Sequence, residues 1–279
     1  MKKILITGAN SYIGTSFEKY IKEKYPNDYT VDTVDMTDAS WREKSFAGYD
    51  SVFHVAGIAH IKESKENRNL FYKINRDLAI ETAEKAKKEG ARQFLYLSSL
   101  SVYGMESGVI NKNTVPMPQN SYGRSKLQAE ERLLPMNSED FRVMIIRPPM
   151  VYGKDCKGNF RTVVKIVKKS PVFPKVKNKR SMIYIDTLCA YVKEYVDNRS
   201  SGVAIPQNYE YMNTGEMAEA IAERLGKKLY LSSVLGVMVK MLCPFVSVAN
   251  KAFGSLIYEE SRERKENEKT NRENVWESV

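Results

Sequence analysis

The chain of 279 residues has little of what disulfide scaffolds, metal centres and membrane spans are made from. Its three cysteines, Cys156, Cys189 and Cys243, are scattered and form no paired spacing, which argues against both a disulfide framework and a zinc site. Two histidines, His54 and His60, are too few for a metal centre, so no metal is expected. After Met1-Lys2-Lys3 the apolar run Ile4-Leu5-Ile6 is far too short for a signal peptide, and a cytoplasmic location is the expectation. The segment from Val234 to Asn250 is apolar, but Lys240 interrupts it and Pro244 would break a helix. Core or lobe packing is therefore expected there rather than membrane insertion, with interfacial membrane contact as the alternative. Internal repeats and low-complexity linkers are absent as well, so one continuous fold is expected.

What the chain does have is an excess of positive charge, formally +10. Lysines are spread through the helical stretches, which reads as a solvated surface, and neither zinc-finger spacing nor an RNA-binding aromatic signature accompanies them. Nucleic acid is accordingly not an expected partner. Short apolar runs alternate with helical periodicity over the first half. Strands are expected at Ile4–Ile6, Tyr29–Met36, Ser51–Ala56, Phe94–Ser98 and Val143–Ile146, with helices from about Ile13, from Asn75 to Lys88 and from Tyr122 to Leu134. That alternation implies an α/β fold with a doubly wound parallel sheet. Beyond Pro148 the pattern loosens into a helix from Phe160 to Lys169, a strand-helix unit from Ile183 to Val196 and a helix from Thr214 to Leu225. The expected division is a dinucleotide-binding domain over 1–153, a substrate lobe over 154–258 whose strand-helix elements return to the sheet, and a charged tail over 259–279, solvated or frayed from Glu259 to Glu273.

Three segments carry chemistry. Thr7-Gly8-Ala9-Asn10-Ser11-Tyr12-Ile13-Gly14 follows a strand and opens a helix, the context in which backbone N–H groups reach a pyrophosphate at the positive helix end. Tyr122 and Lys126 lie one helical turn apart, so that an ammonium at Lys126 would favour the Tyr122 phenolate for proton transfer to or from a hydroxyl. Tyr20 and Lys24 repeat the spacing, but the stripe Ile13, Phe17, Tyr20, Ile21 makes that pair a packing feature. Ser99, upstream in Ser98-Ser99-Leu100-Ser101-Val102-Tyr103-Gly104, completes the set. Asp32 and Asp35 stand about twenty residues after the glycine turn, where a carboxylate would bind an adenosine ribose. His54 reads as a packed strand residue and His60 as at most a substrate contact, while Asn159 is split between capping the next helix and touching sugar.

Together these motifs resemble the extended short-chain dehydrogenase/reductase family, in its NAD-dependent nucleotide-sugar epimerase/dehydratase branch. The family's glycine signature is matched at Gly8 and Gly14, with Ser11 in place of the middle glycine. The resemblance runs from residue 3 to about 190, through His54-Val55-Ala56-Gly57, Asn75 as the asparagine opening a helix, the Tyr122/Lys126 pair, Arg147-Pro148 beside the nicotinamide, Lys157-Gly158-Asn159-Phe160, and Arg180-Ser181. It implies a Rossmann-type fold with Ser99, Tyr122 and Lys126 as catalytic groups. Cofactor contacts are implied at Gly8, Ser11, Tyr12, Ile13, Gly14, Asp35, Met36, Ala56, Gly57, Asn75, Ser98, Tyr122, Lys126, Arg147 and Pro148, and substrate contacts at Ser99, Ser101, Asn159 and Arg180. Asp35-Met36-Thr37-Asp38 also resembles the segment facing the adenine, which implies a shortened connection between the second and third strands. With no arginine directly after the second strand, NAD is expected over NADP. The implied partner is a nucleotide sugar, in a homodimer or a single chain, in polysaccharide synthesis. The implied reaction is C4 epimerisation of a UDP-hexose through a 4-keto sugar, with 4-ketoreduction as the alternative. Leu100-Ser101 after Ser99 lacks the acidic pair of the family's dehydratases. A redox sensor that binds dinucleotide without catalysis is the reading of another class.

Overall fold

The computed structural model describes residues 1–279 apart from His60, Lys157, Pro244 and 260–267. In chain order its first elements are β1 (Lys2–Thr7), α1 (Tyr12–Lys24), β2 (Tyr29–Val34), β3 (Ser51–His54), α2 (Arg68–Tyr72), α3 (Leu78–Lys88), β4 (Gln93–Leu97), β5 (Gly108–Ile110), α4 (Ser121–Leu133) and β6 (Arg142–Ile146). There follow β7 (Met150–Tyr152), α5 (Asn159–Lys169), β8 (Val172–Pro174), β9 (Met182–Tyr184), α6 (Ile185–Asp197), β10 (Gly202–Ala204) and α7 (Thr214–Arg224). The last are β11 (Tyr230–Ser232), α8 (Ser233–Leu242), α9 (Ser247–Phe253), β12 (Leu256–Tyr258) and α10 (Asn271–Ser278).

Two compact units share these elements, each assembled from discontinuous stretches of chain. The first comprises residues 1–104, 116–148 and 188–206. Its six-stranded sheet has the order β10-β6-β4-β3-β1-β2, and every neighbouring pair is parallel. Ile4, Leu5, Ile6, Val52, Phe53, Phe94, Leu95, Val143 and Ile145 are fully buried, as strands covered by helices on both faces must be. On one face the small residues Ala79, Ala83 and Ala86 of α3 and Ala129 of α4 let the helices approach Leu5, Val52, Phe94 and Ile145 closely. On α1, Phe17, Tyr20 and Ile21 are buried, and Phe17 meets Phe53 edge-on at 5.3 Å. Ile13, expected in that stripe, is only half-buried because Gly14 takes the contact with the sheet. Lys24 lies over the Tyr20 ring at 4.3 Å, so the duplicate Tyr/Lys spacing is a packing pair.

No strand lies between Val34 and Ser51, only a single 3-10 turn, Ala39–Arg42, whose Trp41 is buried with Met36 and Phe46. The connection is short, and the chain passes from β2 on one side of β1 to β3 on the other. This places the topological switch point at the carboxyl ends of β1 and β3, where a doubly wound sheet opens a crevice. Helix formation begins earlier than the expected Asn75: α2 runs into a π turn, Lys73–Asp77, and then into α3, with Asn75 inside the π turn.

The second unit comprises residues 105–115, 149–187 and 207–279 and carries three two-stranded parallel pairs, β7 with β9, β8 with β11 and β5 with β12. The apolar segment 234–250 divides between α8 and α9. The stretch expected to be solvated, 259–273, leads into α10, where a Thr270/Glu273 capping box fixes the N-terminus and Asn274 and Val275, just beyond that stretch, are buried. Residues 260–267 of that tail lie outside the described residues.

The turn after β1 generates a prediction. Gly8 has φ 108°, and a Cβ there would stand 2.7 Å from the Ala56 nitrogen. Gly8→Ala is expected to destabilise the chain by about 1–3 kcal/mol, measured by urea unfolding, because both the backbone region and the space exclude a side chain.

Candidate active site

The glycine turn is tied to the ends of two strands. The Gly8 and Ala9 N–H groups donate to the Val34 carbonyl at 2.9 and 3.1 Å, and the Val55 and Ala56 N–H groups donate to the Thr7 carbonyl at 3.0 and 2.9 Å. Ser11 is the N-cap of α1, its Oγ accepting the Gly14 N–H at 3.2 Å, so the residue that replaces the middle glycine stabilises the helix start. A Cβ on Gly14 would meet Ser11 Oγ at 2.6 Å and Val55 Cγ2 at 3.0 Å, which is why glycine closes the motif. The positive end of α1, beginning at Tyr12 and Ile13, thus abuts a turn without side-chain bulk. Asp35 lies exposed just past β2, its Oδ1 accepting the Thr37 N–H at 2.9 Å. Asp32 is occupied by the Tyr49 hydroxyl at 2.6 Å, which leaves Asp35 as the carboxylate at the strand end. Met36, in contrast, is a core residue. Gly8, the α1 terminus, Asp35, Ala56 and exposed Gly57 therefore share one edge of the sheet, an arrangement that fits a dinucleotide.

α4 is positioned from its first turn. Asn120 caps it through the Gly123 N–H at 2.8 Å, and Glu63 accepts from the Ser121 N–H at 2.9 Å and the Ser121 hydroxyl at 2.8 Å. These bonds hold the Glu63 carboxyl below its usual range. Asn75, fully buried, accepts the Ile58 N–H at 2.9 Å and donates to the Ile58 carbonyl at 3.1 Å and to Ser125 Oγ at 3.2 Å. It thereby fastens the loop after β3 to α4, and the π turn that aims its amide is a local departure of the kind found at functional sites.

Ser99, Tyr122 and Lys126 come together at the β4 end. Ser99 caps a 3-10 turn, Leu100–Tyr103, accepting the Ser101 N–H and donating to Ser101 Oγ, each at 3.1 Å. Burial raises the Tyr122 phenol, and the nearby Ser99 hydroxyl opposes that rise. Lys126 Nζ donates to the Leu97 carbonyl at 2.8 Å and lies 4.6 Å over the Tyr96 ring. Desolvation brings it down to about 7, while the Glu130 charge acts in the other direction. Burial rather than the Lys126 charge thus dominates the Tyr122 phenol, and the amine is turned to the strand end, against the expectation that Lys126 lowers it. A Cβ on Gly57 would stand 3.3 Å from Nζ, so the exposed glycine opens onto this buried amine.

Two predicted contact residues are engaged elsewhere. Arg147 makes a bidentate ion pair with Glu130, Nε lying 3.1 and 3.0 Å from the two carboxylate oxygens and Nη2 on Oε2, and its Nη1 donates to the Tyr103 hydroxyl at 2.9 Å. Ser98 donates to the same Glu130 carboxylate. Their side chains build the floor of the site, while Pro148 contributes its carbonyl to the Leu100 N–H at 3.1 Å. Sequence reasoning missed Glu130 and Glu63. Glu130 had a signal, its i+4 spacing from Lys126, whereas Glu63 is remote in sequence from the helix it anchors. His54 is a packed strand residue: Nδ1 is 2.7 Å from Thr7 Oγ1, the ring stacks on Phe94 and Tyr96, and burial pulls it down to about 3.

In the second unit, no side chain caps α5. Gly158 occupies the N-cap and Asn159 is an exposed first residue, which leaves the capping role unfilled by Asn159. Arg180 Nη1 donates to the Gly254 carbonyl at 2.7 Å, and its buried Nε has no hydrogen-bond partner among the described residues. His60 and Lys157 lie outside the described residues.

A sequence model described as the NAD dependent epimerase/dehydratase family matches residues 4–210. The chain belongs to this family. UDP-glucose 4-epimerase of Vibrio cholerae is 27% identical over 253 residues, covering 81% of this chain and 76% of that protein. Among solved structures, UDP-glucuronic acid 4-epimerase from Bacillus cereus in complex with NAD superposes with a TM-score of 0.75 at 17% identity, covering 99% of this chain and 97% of that one. The dTDP-4-dehydrorhamnose reductase of Bacillus anthracis str. Ames in complex with NADP superposes with a TM-score of 0.67 at 22% identity and 83% coverage of each chain. The fold is that of these Rossmann-type enzymes, and as a family member the chain is a nicotinamide-dependent enzyme.

Two predictions arise here. Glu130→Gln leaves Arg147 buried without its counter-charge and is expected to cost about 3–5 kcal/mol in urea unfolding. Adding Arg147→Met should cost less than the sum of the single changes, with a coupling of about 2 kcal/mol. For Lys126, the folded amine titrates near 7 and the unfolded one at its ordinary 10.5, so the unfolded chain binds the extra proton between those values. The stability of wild type relative to Lys126→Met should therefore rise with pH across that window, by up to about 1.4 kcal/mol per pH unit, in urea melts from pH 6 to 9.

Proposed function

We propose that the chain is a nucleotide-sugar 4-epimerase acting on a UDP-hexose type of substrate with NAD, Ser99, Tyr122 and Lys126 being its catalytic groups. The observation that carries this reading is the meeting of the Ser99 hydroxyl and the Tyr122 phenol at the end of β4, one helical turn from the Lys126 amine. The likeness to UDP-glucose 4-epimerase over most of the chain supports the substrate class. Gly8, the α1 N-terminus, Asp35, Ala56, Gly57 and Asn75 are the residues that would hold NAD, with Asp35 at the ribose.

Bound NAD supplies the hydride acceptor and donor and a positive ring charge. Tyr122 Oη takes the proton of the hexose 4-hydroxyl as the C4 hydrogen departs as hydride, which leaves a 4-ketone. Ser99, poised by Ser101, hydrogen-bonds the same oxygen and fixes its distance from Tyr122. Lys126, when protonated, stabilises the phenolate that results, and the Leu97 carbonyl and Tyr96 face keep its amine at that depth. Tyr122 Oη would then return its proton to the same oxygen when C4 is reduced on its other face, which gives the epimer. Proton and hydride would each leave the sugar and return once, so the atoms balance.

The short connection between β2 and β3, of one 3-10 turn, favours a second reading, the more compact 4-keto sugar reductase. There the proton runs only from Tyr122 to the substrate. The two are separated by interconversion of UDP-glucose and UDP-galactose, and of their N-acetyl forms, with the state of the co-purified cofactor followed. Retained NAD that recycles is the outcome for the epimerase. Rapid exchange with stoichiometric oxidation of reduced cofactor by a 4-keto sugar would replace it with the reductase. Tyr122→Phe is expected to lower kcat by about 10²–10⁴-fold with cofactor affinity unchanged. No turnover of any nucleotide sugar by wild type, with cofactor still bound, would point to a sensor.

A further inference from the structure

We infer that α8 and the basic segments beside it form a surface that lies on an anionic lipid bilayer, with the helix parallel to the membrane plane. The proposal concerns the second unit alone, centres on α8, which lies beyond the residues 4–210 that match the family, and does not rest on the catalytic reading.

α8 is turned with its small residue inward. Gly236 is its buried residue, and a Cβ there would stand 2.1 Å from the Lys175 carbonyl, so the helix seats on the chain just past β8 by its glycine. The large apolar side chains face away. Val234, Val237, Met238 and Met241, at i, i+3, i+4 and i+7, are 72%, 60%, 54% and 69% exposed, and Phe245, just past the helix, is 85% exposed. A helix at the surface of a globular unit ordinarily points such a stripe at the core. Ten residues of helix rise about 15 Å, half of a bilayer core, and among the described residues no helix is long and apolar enough to cross a membrane. An exposed apolar stripe of this length suits the headgroup boundary.

Charge names the partner. Residues 224–258 hold five lysines and arginines and no aspartate or glutamate, and residues 156–185 hold nine and none. The two segments are far apart in sequence, and the pairing of β8 with β11 joins them, the Lys175 N–H donating to the Ser232 carbonyl at 2.9 Å where α8 begins. Lys175, Lys177, Lys228 and Lys240 are exposed. The rest of the chain is net negative, so the positive charge that looked dispersed along the sequence belongs to the unit that also shows the apolar stripe. A second copy of the chain would bring like charges together across that stripe, and nucleic acid would leave the stripe in water. Anionic lipid satisfies both the cations and the apolar side chains.

The test is co-sedimentation of the full chain with vesicles of phosphatidylcholine alone or mixed with phosphatidylglycerol. Wild type should bind the mixed vesicles at least about ten-fold more tightly, and raising salt from about 0.05 to 0.5 M should release it. Val237→Glu/Met241→Glu and, separately, Lys175→Glu/Lys228→Glu should each weaken that binding by about ten-fold or more, with thermal melting unchanged. Phe245→Ser repeats the apolar arm without adding charge. Absence of vesicle binding, equal binding to both vesicle types, or variants that bind like wild type would overturn the proposal. So would an ultracentrifugation result in which wild type is a dimer that Val237→Glu/Met241→Glu splits while vesicle binding persists, since the face would then belong to a second copy.

Discussion

The first unit depends on a buried carboxylate. Glu130 is 1% exposed, and an ionised group at that depth survives only if its oxygens are satisfied. Arg147, just past β6, and Ser98, at the end of β4, meet that demand with hydrogen bonds to Glu130 on α4. The same satisfaction therefore sets the spacing of three elements, and it fixes how far α4 lies from the strand ends. Tyr122 and Lys126 ride on that helix, so their positions relative to Ser99 follow from Glu130, a residue outside that trio. Such a pair is weak evidence of net stability, because desolvation consumes much of its attraction. Its consequence here is geometric, since the alternatives to the observed register leave a charge unpaired.

Around this floor, the walls of the site are held by polar groups that bridge distant segments. Asn75 uses both its carbonyl and its amide to join the loop after β3 to α4, and Glu63 fastens the first turn of the same helix. The glycine turn needs no such bridge, because its shape is dictated by the space that Ala56 and Val55 leave. The site thus combines a rigid rim, where side chains are excluded, with a basal network in which each is hydrogen-bonded. Lys126 sits between them, and its burial keeps proton affinity low enough for the amine to respond to a charge placed beside it.

Much of this was legible in the residues. The alternation of apolar strands and periodic helices specified a parallel sheet, and the short segment between Asp35 and Ser51 announced the reduced connection that the structure shows. Strand ends were overextended at Met36 and Ala56, since apolar character continues past the last ladder bond into core and turn. Asn75 was placed at a helix start because one-dimensional periodicity does not distinguish a π turn from the first turn of a helix. Ser98 and Arg147 were read as cofactor contacts, although a buried acid eight residues after Tyr122 claims both side chains. The last residues of the charged tail show no apolar stripe, yet Asn274 and Val275 are buried in α10, whose packing rests on residues far away in the chain.

The sequence by itself pointed to the family, because a tyrosine and a lysine one turn apart, a serine at a strand end and a glycine turn between strand and helix are local patterns whose spacing already implies their geometry. It determined the fold class for the same reason, through periods of two and 3.6 that a short window contains. Tertiary structure decided which acid pairs with which base, which of two aspartates remains at the strand end, and which apolar helix turns its large side chains away from the core. Those outcomes depend on residues brought together from distant parts of the chain, where burial makes each unpaired polar group costly and leaves few arrangements open.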